Sequence, residues 1–168
     1  MSINLHLNTS ADTVSLGRIL AGVLANAAPV PSLLLQGGLG SGKTTLVRGL
    51  VESLPGADMA EVSSPSFNIF NLYPTAPQVA HFDLYRLEGV TPDDSLFEYL
   101  EDPATLVVIE WIEYLDHKLW PGSAILLSWL PADSGRRLTL DVLGDATGAL
   151  AASLEEKLKP YRQDTQEQ

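Results

Sequence analysis

Residues 37–44 read Gly-Gly-Leu-Gly-Ser-Gly-Lys-Thr and fill every fixed position of the phosphate-binding pattern G-x-x-x-x-G-K-[ST]. The glycines let the backbone curl so that successive N–H groups converge into a nest for phosphate oxygens. Gly38, Gly40, Ser41 and Gly42 supply that cradle, and Lys43 reaches the β- and γ-phosphates as a compact charge. The Thr44 hydroxyl is placed to ligate Mg²⁺, and Thr45 follows near the α-phosphate. The flanks match this reading. Ser32–Leu35 leads in as a buried strand, and residues 46–51 lead out as a helix whose N-terminal dipole faces the anion.

A chain of 168 residues is enough for one domain with a sizeable core, here residues 1–160 followed by a polar tail, 161–168, expected to fray. An apolar share of 45 % beside 18 % charged residues excludes wholesale disorder. No apolar run approaches the roughly 18 residues of a membrane span, and no basic-then-apolar leader opens the chain. Cysteine is absent, which excludes disulfides and thiol chemistry and fits a cytoplasmic location. The formal net charge is −11, with ten Lys and Arg in all. A chain this acidic is poorly equipped to grip a nucleic-acid backbone alone, so in any role in nucleic-acid metabolism a partner is expected to hold the nucleic acid.

Hydrophobic periodicity predicts an α/β domain with a mixed, partly antiparallel central sheet flanked by helices. A short strand over residues 3–7 precedes a helix over 11–28, capped by Thr9 and stopped by Pro29 and Pro31. Residues 67–73 and 78–85 read as a hairpin, and Thr91-Pro92-Asp93-Asp94 as a helix start with proline at its first position. Residues 106–109 form an apolar run suited to a strand buried on both faces. Residues 124–130 and 137–142 make a second hairpin, and a helix over 149–158 comes last.

Three further segments carry chemistry. Glu110 ends the apolar strand as the carboxylate of a Walker B element, able to hold Mg²⁺ or to orient an attacking water. Strand alternation places His81, Asp83 and Tyr85 on one face, with Asp83 as a water-activating or metal-linked carboxylate that His81 and Tyr85 orient. Ser63-Ser64-Pro65-Ser66 lies where a switch segment senses a γ-phosphate. Arg136 and Arg137 fit either phosphate contacts or ordinary surface positions, and Trp111 either the site or the core. His6 and His117 join no constellation.

The P-loop, Ser-Pro-Ser-Phe (64–67), His-Phe-Asp-Leu-Tyr-Arg (81–86) and Glu110-Trp111 follow one another at compact spacing. That combination, spanning residues 9–142, resembles the TsaE family of bacterial P-loop ATPases needed to make threonylcarbamoyladenosine in tRNA. The resemblance implies an ATPase that uses ATP and Mg²⁺, transfers no threonylcarbamoyl group itself, and docks on the TsaB–TsaD pair. It carries over Lys43, Thr44 and Glu110 as nucleotide–Mg²⁺ residues, Asp83 as important for hydrolysis, and Ser66 as the switch residue. It also implies nucleotide contacts from Thr13 and Arg136. The family usually has Thr where this chain has Ser66, and the hydroxyl survives the change. A small-molecule or nucleotide kinase shares the P-loop, but the six arginines form no lid-like cluster. A GTP switch would carry an Asn/Thr-Lys-x-Asp element, which is missing.

Overall fold

In the computed structural model, which describes residues 1–65, 67–144 and 148–163, the elements run in chain order as follows. They are β1 (Ser2–Leu7), α1 (Ser10–Leu24), β2 (Ser32–Gln36), α2 (Lys43–Val51), β3 (Phe70–Tyr73) and β4 (Val79–Asp83). The second half supplies α3 (Asp94–Glu101), β5 (Leu106–Glu110), β6 (Ser123–Leu130), β7 (Arg136–Gly144) and α4 (Ala149–Lys157). One sheet takes all seven strands in the order β1-β7-β6-β2-β5-β4-β3. Its centre, β6-β2-β5-β4, is parallel, whereas β3, β7 and β1 each pair antiparallel with a neighbour. The mixed sheet expected from the periodicity is therefore present.

The central strands are apolar on both faces because both faces are covered. Leu33, Leu35 and Val108 enter the core beneath α1, α2 and α4, while Leu34, Val107 and Ile109 enter the opposite core with Leu96 of α3. The first helix crosses α2 at a pair of glycines. A Cβ on Gly17 would lie 2.3 Å from the Leu46 carbonyl oxygen, and one on Gly49 would lie 2.4 Å from that of Val14. Only glycine permits that approach, and it brings the first turn of α1 against the P-loop.

Several boundaries differ from the sequence reading. The first helix stops at Leu24, where the Asn26 side chain donates to the Gly22 carbonyl at 2.7 Å and turns the chain before Pro29. Strand β4 ends at Asp83, because the Asp83 carboxylate accepts the Tyr85 N–H at 2.9 Å and starts a 3₁₀ turn over Tyr85–Leu87. Tyr85 thus leaves the face shared by His81 and Asp83. Asp93 caps α3, so Pro92 precedes the cap instead of opening the helix. The described part of the tail is fastened: Arg162 bridges to Leu5, and the Gln163 N–H donates to the Asn4 carbonyl. Residues 164–168 of the expected frayed tail lie outside the described residues. No described helix is long and apolar enough to cross a membrane.

Candidate active site

The parallel strands β2, β5 and β4 end side by side. Leu35 stands opposite Glu110, and Glu110 opposite Asp83. The loop from β2 into α2 closes over these ends, at the edge where parallel sheets present their ligand crevice. Gly40 and Gly42 have φ of 70° and 110°, conformations that a side chain would strain. Gly42 caps α2 and gives no side-chain hydrogen bond, so the first-turn amides stay available to an anion.

Lys43 is 5 % exposed and folds beneath this loop. Its ammonium donates to the carbonyls of Gly37 (2.5 Å) and Gly38 (2.8 Å) and to Ser41 Oγ (3.4 Å), and lies 4.2 Å from the centre of the Trp111 ring. Burial pushes the Lys43 pKa below its ordinary value, against the opposing fields of Glu110, Glu113 and Asp83. Trp111 holds a left-handed φ of 60° just after β5, which turns its ring toward the lysine. Trp111 thus serves both the core and the site. Glu113, on the next turn, has its pKa raised by desolvation, with the Lys43 charge and the Gly37 backbone pulling the other way.

The two carboxylates have different partners. Glu110 Oε1 accepts from Thr44 Oγ1 at 3.2 Å and lies 2.8 Å from His81 Nε2, with His81 fully buried and Glu110 nearly so. Asp83 accepts from Ser64 Oγ at 3.0 Å and from the Tyr85 backbone N–H. This corrects one expectation: His81 bonds to Glu110, not Asp83, and Tyr85 reaches Asp83 through its main chain. Strand β4 is also interior, with β3 outside it.

On the other side of the loop, Arg136 Nε donates to the Ser41 carbonyl at 3.1 Å, and Nη2 donates to Ser10 Oγ at 3.3 Å. A Cβ placed on Gly42 would lie 3.1 Å from Arg136 Nε and 3.6 Å from the Thr13 methyl. Thr13 is fully buried, and its hydroxyl has no partner among the described residues. Gly38, Gly40, Ser41, Gly42, Lys43, Thr44, Thr45, Asp83, Glu110, Thr13 and Arg136 therefore gather around one loop. Arg137 is exposed on β7 and stands apart. Ser66 lies outside the described residues. A cleft of about 350 Å³ is lined by the P-loop together with Asp83 and Glu110, and one of about 690 Å³ adjoins it across Ser41 and Arg136.

Sequence reasoning named Ser64 only as part of the switch segment, without its bond to Asp83, and passed over Ser10, Tyr73 and Glu113. For Tyr73 a signal existed: Asn71 and Tyr73 are alternate polar positions on the strand that pairs with His81. Ser10 and Glu113 announce nothing without the tertiary contacts.

The sequence model of the TsaE family, described as threonylcarbamoyl adenosine biosynthesis protein TsaE, matches residues 7–138. The chain is 36 % identical to the tRNA threonylcarbamoyladenosine biosynthesis protein TsaE of Nostoc over 79 % of its own length and 81 % of the relative's. It is 30 % identical to the protein of the same name from Bacillus subtilis, over 77 % of its length and 81 % of that chain. A crystal structure of Bacillus subtilis YdiB superposes with a TM-score of 0.73 over 93 % of this chain and 95 % of that one, at 23 % identity, which bears on the fold alone. By family match and by relatives covered over most of their length, the chain belongs to the TsaE family.

Proposed function

We propose that this chain is a Mg²⁺-dependent ATPase that supports threonylcarbamoyladenosine modification of tRNA by acting on a TsaB–TsaD complex in the cytoplasm. The observation that carries the reading is the 3.2 Å hydrogen bond from Thr44 to Glu110. It joins the P-loop hydroxyl to a strand-end carboxylate, the donor pair a nucleotide-bound Mg²⁺ uses. The residues fit that group in other ways. The glycine loop is open toward solvent at Gly38 and Gly40, where an added Cβ would meet nothing within 4 Å. The Arg136 guanidinium lines the second cleft, where the rest of a nucleotide has room, and Thr13, whose hydroxyl has no partner among the described residues, lies behind Gly42.

Thr44 and Glu110 would hold the metal, and Lys43 would exchange its loop carbonyls for phosphate oxygens. Bound Mg²⁺ supplies neutralisation of the phosphate charge. Asp83, close to Glu110 and fixed by two hydrogen bonds, would orient a water in this reading. The relatives are named for tRNA threonylcarbamoyladenosine biosynthesis, and the acidic charge of this chain favours an indirect role through a protein partner that holds the tRNA.

Calorimetry and single-turnover kinetics test this. Lys43→Ala should lose at least about tenfold in ATP affinity, since charged hydrogen bonds are worth roughly 1.5–3 kcal/mol each. Glu110→Gln and Asp83→Asn should depress hydrolysis far more than binding, because each keeps its shape and loses its charge. Wild-type ATP affinity in a folded Lys43→Ala variant would overturn the assignment. Transfer of phosphate to an added small molecule would turn it toward a kinase.

A further inference from the structure

Two successive residues of one loop are fastened to the two carboxylates by different routes. Ser64 donates directly to Asp83. One residue earlier, the Ser63 carbonyl accepts from the Tyr73 hydroxyl at 3.2 Å and from the Asn71 amide at 3.3 Å. The Tyr73 oxygen lies 3.3 Å from His81 Nδ1, and His81 Nε2 lies 2.8 Å from Glu110 Oε1. Glu110 then meets Thr44. We propose that His81 is a positioning residue for Glu110, and that the buried Tyr73–His81 pair couples the loop at Ser63 to the metal-binding carboxylate.

The inference rests on the nucleotide–Mg²⁺ reading of the site and adds a mechanical link to it. An ionised carboxylate only accepts, so the His81 nitrogen facing Glu110 carries the proton. In a neutral ring Nδ1 is then an acceptor, within reach of a hydrogen bond from the Tyr73 hydroxyl. Tyr73 has only that one proton, and the Ser63 carbonyl competes for it. A shift of the loop therefore changes which acceptor is satisfied. Tyr73 is 3 % exposed and His81 fully buried, so water does not readily replace a lost partner. Strand pairing makes the geometry firm: His81 stands opposite Asn71 on one side and Val108 on the other, two residues before Glu110. An imidazole that fixes a carboxylate in this way acts as do the outer partners of metal ligands generally.

The test uses the full chain with ADP and Mn²⁺ as the metal probe. Paramagnetic resonance reads Mn²⁺ affinity of the nucleotide complex, calorimetry reads metal-free ADP affinity, and hydrogen exchange reads the amides of residues 61–65. Metal-free ADP affinity should stay at the wild-type level in His81→Leu, His81→Gln and Tyr73→Phe. Mn²⁺ affinity should fall about 10–100-fold in His81→Leu, and less in His81→Gln, which keeps an N–H for Glu110. Tyr73→Phe should keep most of the Mn²⁺ affinity and lose the metal-dependent change in exchange at residues 61–65. Wild-type Mn²⁺ affinity in both His81 variants would overturn the positioning role. An unaltered metal response in Tyr73→Phe would overturn the coupling. If His81→Leu fails to fold, His81→Gln and Tyr73→Phe decide. A wild-type chain that binds no ADP strikes the nucleotide reading itself, a result separate from either of these.

Discussion

Thr13 sits fully buried in the first turn of α1, with its methyl group beside Gly42 and its hydroxyl unpartnered among the described residues. A buried hydroxyl without a hydrogen bond costs roughly 1–3 kcal/mol in proteins, so threonine here works against stability. Valine has nearly the same shape and lacks the hydroxyl. Thr13→Val should therefore raise stability by about 1 kcal/mol in urea denaturation while lowering ATP affinity in calorimetry. Equal loss of both would mark Thr13 as a packing residue only. The contrast with Lys43 is instructive: that side chain is also buried, but its donors are satisfied by the loop it serves.

At the level of elements, the site depends on where α2 lies, and α2 lies where it does because two glycines let it touch α1. Gly49→Ala would press a methyl group into the Val14 carbonyl at 2.4 Å. The expected result is a loss of about 1–3 kcal/mol in denaturant unfolding, with weaker ATP binding as the helix start is displaced. Full stability in that variant would show that the helices can part without consequence. The P-loop, its flanking strand and helix, and the shared face of His81 and Asp83 were legible in the sequence because each is a local pattern of spacing or alternation. Other features were not. Gly17 and Gly49 carry no local signal of their packing role, since it appears only when two distant segments meet. The partner of His81 depended on β4 lying beside β5, a pairing between strands joined through α3 that no local pattern specifies. The end of β4 was hidden because the turn comes from the Asp83 side chain bonding the Tyr85 amide, in a stretch whose polarity still alternates.

Across the whole molecule, a buried tyrosine sets an alkaline limit. Burial raises the Tyr73 pKa above its ordinary value of 10.0. Above that value the unfolded chain releases the phenolic proton while the folded chain keeps it. Stability is therefore full below about pH 10 and falls as pH rises toward the folded pKa. Thermal unfolding of Tyr73→Phe should show a flatter alkaline limb than wild type, and an identical limb would show that Tyr73 does not govern it. Charge acts at the same scale. With a net charge of −11 and six arginines, the chain has few cations to offer a transferring phosphate beyond Lys43. A partner that closes over the cleft would add charge and exclude water, and association of an acidic surface with a basic one weakens as salt rises. The most direct measurement is the ATP hydrolysis rate of the isolated chain and of the chain mixed with purified TsaB and TsaD from the same organism, at low and high salt. The account predicts slow turnover alone, a marked rise with the pair that salt diminishes, and no rise with Lys43→Ala. An isolated chain that already turns over at the full rate, or no association with the pair in any nucleotide state, would contradict it.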